Sequence, residues 1–202
     1  VYLGGDEFPA CPSDIDPAWL TEFCSRAAAR RARVAVLSSR TGDERDLAQW
    51  TWWLKRVSGI RSLGAGASTI GAIEVARSLR VREILADYSL NLANSLVADA
   101  LSTLGATRVI ASLELDFACL QALAGQIRLP LEVIVHGPLP GMLLEHCVVA
   151  AAAGQTSHEP CTMPCRKEAY VLRDTAGQDH AVRFDSRCRN HLYAARELCL
   201  LP

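Results

Sequence analysis

Five short aliphatic runs recur along the chain, over 33–37, 59–63, 82–86, 107–111 and 131–135, with starts 23 to 26 residues apart. Between them the apolar positions change to a helical period, as in Leu20, Phe23, Cys24, Ala27 and Ala28 following Asp16-Pro17. An aspartate cap followed by a proline at the first helical position suits a helix start. The same periodicity predicts helices over 43–57, 68–79 (with Ser68 as its cap), 92–104 and 115–127. With Val1-Tyr2-Leu3 as the end of a first strand, six strands alternate with helices. A repeat of roughly 25 residues suits the units of a (β/α) barrel. The rival, an open Rossmann-type sheet, lacks the expected G-x-G-x-x-G after any strand. The predicted fold class is therefore α/β, a TIM-type (β/α) barrel. With about six of eight barrel strands and Val1 opening inside an apolar run without an initiator Met, the sequence reads as a fragment incomplete at both ends.

The rhythm stops near Gly154. This divides the chain into a barrel portion over 1–153 and a segment over 154–202, rich in cysteine, packed on the same domain. Within the latter, 169–173 and 181–184 flank Thr175-Ala-Gly-Gln178 as a hairpin, and 185–198 fits a helix.

A composition of 50% hydrophobic and 21% charged residues is too apolar for disorder and ample for one core. No apolar stretch approaches the roughly 18 residues of a membrane span. A net charge of −1 gives no overall basic field for duplex DNA. Trp50, Trp52 and Trp53 beside Lys55 and Arg56 suggest base stacking, but Trp50, Trp53 and Leu54 at helical spacing are more simply a buried stripe. Arg26, Arg30, Arg31 and Arg33 read as a solvated helix end.

In a (β/α) barrel the chemistry collects just past the strands. Arg40, Asp87, Asn91, Glu114 and His136 all follow predicted strands. Arg40, Asp87 and Asn91 are the substrate-binding candidates. His136 is a candidate acid or base at the mouth, with Glu114 beside it on the neighbouring strand.

Eight cysteines are unusual for a chain with its own core, and five of them, Cys147, Cys161, Cys165, Cys188 and Cys199, lie in the C-terminal quarter. Secreted disulfide frameworks suit domains too small to build a core, so metal or cluster ligation in a reducing, cytoplasmic setting is expected. Cys161 and Cys165 are four residues apart with Pro164 between them, a loop spacing that lets two thiolates reach one centre. Cys147 is the expected third ligand, with Cys188 or Cys199 as the fourth. On a single straight helix these last two would stand about 16 Å apart, at about 1.5 Å per residue, so one centre cannot use both. Soft thiolates select zinc, copper(I) or iron–sulfur clusters. Cys24 and Cys119, on helices, are expected to be small buried hydrophobes.

The segment from Leu131 to Cys147, with His136-Gly137 at a strand end and a cysteine shortly after, resembles the hallmark of the collagenase-like U32 peptidase family. Val1 to Gly5, Asp87-Tyr-Ser-Leu-Asn91, Ser112-Leu-Glu114, Cys161-x-x-Pro-Cys165-Arg166, Cys188-Arg-Asn-His-Leu-Tyr193 and Glu197-Leu-Cys199 extend the likeness along nearly the whole chain. Beyond the proteolysis in its name, the resemblance implies a [4Fe-4S] protein of oxygen-independent hydroxylation, acting on RNA or a quinone precursor. It maps Cys147, Cys161 and Cys165 to cluster ligands, with Cys188 or Cys199 as the fourth and Cys11 a remote candidate. Many relatives carry Cys where this chain has Pro140, so the ligand set is not copied whole. The alternatives are zinc in place of the cluster, a peptidase of unassigned mechanism, and a metal-stabilised module binding RNA or a protein partner of the same family. No Gly-x-Ser-x-Gly or His-Glu-x-x-His supplies peptidase machinery.

Overall fold

A computed structural model describes residues 1–4, 15–60, 62–154, 161–185 and 187–200, in two units, Val1–Ile134 and Val135–Pro202. The division falls at the end of the sixth strand, ahead of the 153/154 boundary read from the sequence, because the βα rhythm ends there.

The first unit alternates β1 (Tyr2–Gly4), α1 (Pro17–Ala29), β2 (Val34–Leu37), α2 (Glu44–Val57), β3 (Leu63–Ala67), α3 (Ile70–Ser78), β4 (Ile84–Ala86), α4 (Ser95–Leu104), β5 (Arg108–Ile110), α5 (Phe117–Gln126) and β6 (Leu131–Glu132). All six strands are parallel and pair in sequence order, β1-β2-β3-β4-β5-β6. Doubly wound sheets reverse their order at a switch point. An unreversed order is that of a partial α/β barrel.

Each helix starts where a short polar side chain can take up its free N–H groups. Asp16 Oδ1 accepts from Ala18 N at 3.0 Å. Asp43 Oδ1 accepts from Arg45 N at 2.8 Å and Asp46 N at 2.9 Å, and Asp46 Oδ2 returns a bond to Asp43 N at 3.3 Å, a capping box. Asn94 and Asp116 cap α4 and α5. The cap of α3 is Thr69, whose hydroxyl accepts from Ala72 N at 3.2 Å, in place of the expected Ser68. Trp50, Trp53, Leu54 and Val57 form the inner stripe of α2, packing in a core with Val34, Val36, Ala65 and Ala67 of the sheet. Trp52 is 50% exposed, with Arg56 over its ring.

The third strand is displaced from its expected position: Gly59 and Ser62 lie in turns and the strand runs through Leu63-Gly-Ala-Gly-Ala67. Small residues have little β-preference, but packing demands them here. A β-carbon on Gly64 would stand 3.2 Å from Glu83 Cβ, and one on Gly66 would overlap the Leu37 side chain. The sixth strand is shorter than the expected 131–135, and Val133 and Val135 are each 40% exposed.

The second unit holds β7 (His136–Gly137), β8 (Pro140–Leu144), α6 (Val148–Ala152), β9 (Tyr170–Arg173), β10 (Asp179–Phe184), β11 (Asn190–Tyr193) and β12 (Leu198–Cys199). Antiparallel pairing orders a four-stranded sheet β8-β11-β10-β9, and β12 pairs with β7. The expected hairpin is β9–β10, closed at Asp174, whose carboxylate accepts from Ala176 N and Gln178 N. The helix expected over 185–198 does not form. That stretch turns at Asp185–Arg189, with Cys188 at φ +61°, and continues as β11 and β12. The estimate of the Cys188–Cys199 separation along one helix falls with it.

Candidate functional site

In the first unit, a polar network lies just past β2, β3 and β4. Ser68 N donates to Ser38 Oγ at 2.9 Å, and Ser68 Oγ lies 3.2 Å from both Ser38 O and Asp87 Oδ2. Ser89 Oγ reaches Asp87 Oδ2 at 3.0 Å and Ser68 O at 3.2 Å. Each hydroxyl carries one proton and divides it between the carboxylate and a backbone carbonyl. Asp87 is 5% exposed. Burial pushes its carboxyl above the usual carboxylate range, against the lowering effect of Ser89, the Tyr88 N–H, Ser68 and the Arg40 charge. Arg40 Nη1 donates to Tyr88 Oη, and its guanidinium stands 5.5 Å from the Tyr88 ring centre. The result is a buried carboxyl, raised above its usual range, next to a positioned guanidinium and phenol.

Of the sequence candidates, Arg40 and Asp87 meet in this network. Asn91 is exposed and closes the short turn Tyr88–Leu90 in the left-handed region, φ +52°, donating its N–H to Tyr88 O at 3.0 Å. Glu114 is exposed, its N–H bonded to Ser112 Oγ at 3.4 Å. Glu114 belongs to the first unit and His136 to the second. His136 was expected at the end of the sixth strand; it stands in β7, exposed, opposite Cys199 of β12. The strand-end residue of β3 is Ser68, not Gly64, because the strand is shifted. Ser68 was legible only as a helix cap.

In the second unit, Cys147 is the N-cap of α6, its Sγ accepting from Ala150 N at 3.5 Å. Cys161 Sγ accepts from Met163 N at 3.3 Å. Met163 takes φ +51° and leads into the turn Pro164–Arg166 that carries Cys165. The Cys165 thiol is pushed up by burial first and then by Cys188, Cys147 and Cys161, so three thiols from different parts of the second unit act on it. Cys199 stands on β12. Among the described residues, no group of three or more His, Cys, Asp or Glu side chains is placed to hold a single metal ion. Cys11 and Gly5 to Glu7 lie outside the described residues. Cys24 is buried as expected, whereas Cys119 is exposed, because its position on α5 faces away from the core.

A buried polar cluster around the Cys188 turn went unread in the sequence. Asp185 Oδ1 accepts from Arg187 N at 2.8 Å and Arg189 N at 3.0 Å, and Oδ2 accepts from Arg189 Nε at 2.6 Å with His191 Nε2 at 3.5 Å. Burial raises the Asp185 carboxyl, but His191, Arg189 and the two backbone N–H groups outweigh it and bring it down to about 2. Asn190, fully buried, accepts from Val148 N at 2.8 Å and donates to Cys188 O at 2.9 Å. The only available signal was the Asp185/Arg189 spacing, which reads equally well as a helical ion pair.

Among curated proteins none matches the chain significantly in sequence. The sequence model of peptidase family U32 matches residues 1–202, the whole length, and the chain belongs to peptidase family U32.

Proposed function

We propose that this U32-family chain is an enzyme that uses a [4Fe-4S] cluster to support oxygen-independent hydroxylation of an aromatic substrate, an RNA base or a quinone precursor. The observation that carries the reading is the convergence of Cys147, Cys161, Cys165 and Cys188 in the second unit. The donor set fits the group. Four thiolates on one zinc, each about 2.3 Å from it, must crowd together, whereas a cluster spreads them over separate irons. The charges of Cys147, Cys161 and Cys188 act on Cys165, and the separate irons of a cluster suit thiols supplied by three chain segments. The N–H groups of Ala150 and Met163 directed at Cys147 and Cys161 are the hydrogen bonds that tune a cluster's potential. When bound, the cluster supplies redox chemistry.

The first unit's residues bind and orient the substrate. Arg40 offers charge and N–H donors, Tyr88 a phenol and ring face, and Asp87, its carboxyl pushed up by burial, a hydrogen-bonding group for a substrate oxygen or nitrogen. Asn91 extends this rim. A reducing, cytoplasmic setting belongs to the same reading, because thiolate ligands persist there.

Anaerobic purification followed by an absorption spectrum and iron, sulfide and zinc analysis tests the reading. Iron and sulfide in equal amounts, abolished in Cys161→Ala, are expected; a colourless protein holding zinc overturns it. Cys188→Ser, Cys199→Ser and Cys11→Ser assign the fourth ligand, with loss expected in the first. Peptide cleavage that survives removal of the cluster favours the peptidase instead.

A further inference from the structure

Two of the proposed ligand segments, the turn bearing Cys188 and the helix capped by Cys147, are far apart in sequence and share no backbone ladder at the cysteines themselves. Asn190 joins them. Its Oδ1 accepts from the N–H of Val148, the first helical residue after Cys147, and its Nδ2 donates to the carbonyl of Cys188. A peptide N–H only donates and a carbonyl only accepts, so the two partners fix the orientation of the amide. The residue is wholly buried, and water cannot replace either bond.

The turn is held by its own hydrogen bonds. Asp185 gathers the N–H groups of Arg187 and Arg189, and Cys188 N donates to Asp185 O at 3.2 Å, which fixes the left-handed conformation of Cys188. The other end of the clamp is a helix of five residues, too short to persist on its own. Its first turn depends on outside partners, and Asn190 is one.

We propose that Asn190 is a positioning residue of the cysteine site, clamping the Cys188 turn to the helix that carries Cys147 so that both thiols are pre-placed before any cluster arrives. The role in cluster retention rests on the [4Fe-4S] reading; the clamp itself does not. Partners of this kind, one bond removed from the ligands, commonly set the affinity of a metal centre.

The test compares wild type with Asn190→Ala, Asn190→Asp and, as a control, Asn94→Ala, which removes the exposed cap of α4 in the other unit. In the metal-free protein, alkylation by iodoacetamide is followed cysteine by cysteine by mass spectrometry, with Cys161 as the internal reference. Asn190→Ala is expected to speed alkylation of Cys147 several-fold relative to Cys161. Asn190→Asp keeps the acceptor for Val148 but turns a carboxylate towards the Cys188 carbonyl, so Cys188 is expected to gain reactivity while Cys147 does not. Asn94→Ala changes neither. In the anaerobically reconstituted protein, iron release to a chelator is expected to rise about 10- to 100-fold in Asn190→Ala. Wild-type alkylation ratios in both folded Asn190 variants overturn the clamp, whether or not the protein binds iron. A wild-type protein without iron overturns the cluster reading alone.

Discussion

The hydroxyl of Tyr2, on β1, donates to the carboxylate of Glu132, on β6, so side chains from opposite edges of the six-stranded sheet meet. A flat sheet would hold those edges about 24 Å apart, five spacings of about 4.8 Å, far beyond the reach of a tyrosine and a glutamate. The sheet must therefore be strongly rolled, and the barrel character suggested by strand order acquires a geometric measure. Arg108 on β5 completes the junction, its Nη1 lying 2.6 Å from Glu132 Oε1. A cavity of about 440 Å³ lies on this side of the sheet, lined by Tyr2, Ala35, Leu85 and Arg108 among others.

That junction has a titration signature. Burial first, then the hydrogen bond and charge of Glu132, push the Tyr2 phenol well above its ordinary range. A phenol raised in the folded state contributes stability below the unfolded value of about 10, and the contribution disappears as pH climbs through the folded value. Absorbance titration of Glu132→Gln is expected to return one tyrosine towards the ordinary range, and Tyr2→Phe to delete the highest-titrating one. Unchanged titration curves in both variants would show that the edges do not meet in solution.

Asp87 carries a shift of the same sign, starting from the carboxylate range. Its carboxyl is raised chiefly by burial, so the folded state favours the protonated form; its contribution to stability is complete below the unfolded value of about 3.9 and fades as pH rises through the folded one. Asp87→Asn keeps a neutral group of the same shape. Thermal melts should show the variant gaining on wild type as pH rises from 4 to about 7, while substrate binding weakens. Ser68→Ala removes a lowering hydrogen bond and should shift the wild-type profile further upward.

The repeat of apolar runs carried the order of strands and helices in the first unit, because period and capping are local properties. The cap Asp16 and the buried pair Trp50/Trp53 stand as read. What failed had non-local causes. The strand Leu63–Ala67 is written in glycine and alanine to fit against Leu37 and Glu83, partners that a window around residue 65 does not contain. The stretch after Asp185 has helical spacing, yet the carboxylate of Asp185 bonds the N–H groups that a helix would use, and β8 and β10 supply ladders on both sides of β11. At the candidate site, cysteine spacing pointed to Cys161 and Cys165, whereas the placement of Cys188 beside Cys165 depends on that unforeseen turn.

The tryptophans separate core from surface. Trp53 is 1% exposed and stacks on Trp50 with ring centres 6.0 Å apart, whereas Trp52 is half exposed. Urea denaturation of Trp53→Ala is expected to show a loss of about 3–5 kcal/mol, and Trp52→Ala a change within about 0.5 kcal/mol. Equal losses would place Trp52 in a packed environment that its exposure denies.

Asp185 offers the most direct handle on the cysteine segment's own stability. Its side chain and that of Arg189 are 4% and 7% exposed, so the pair is almost fully withdrawn from water. A carboxyl brought down to about 2 contributes stability above the unfolded value of about 3.9, and that stability is lost as pH falls through 2. Acid unfolding followed by β-sheet circular dichroism should therefore draw on Asp185 between about pH 4 and pH 2. Asp185→Asn leaves Arg189 buried without its counter-charge and is expected to cost about 3–5 kcal/mol at neutral pH, because the amide cannot neutralise the guanidinium. The same variant should lose the acid transition, since the group that titrates is gone. If Asp185→Asn melts like wild type at pH 7, the pair is open to water in solution, and the turn that presents Cys188 is held by Asn190 and the strand ladders instead.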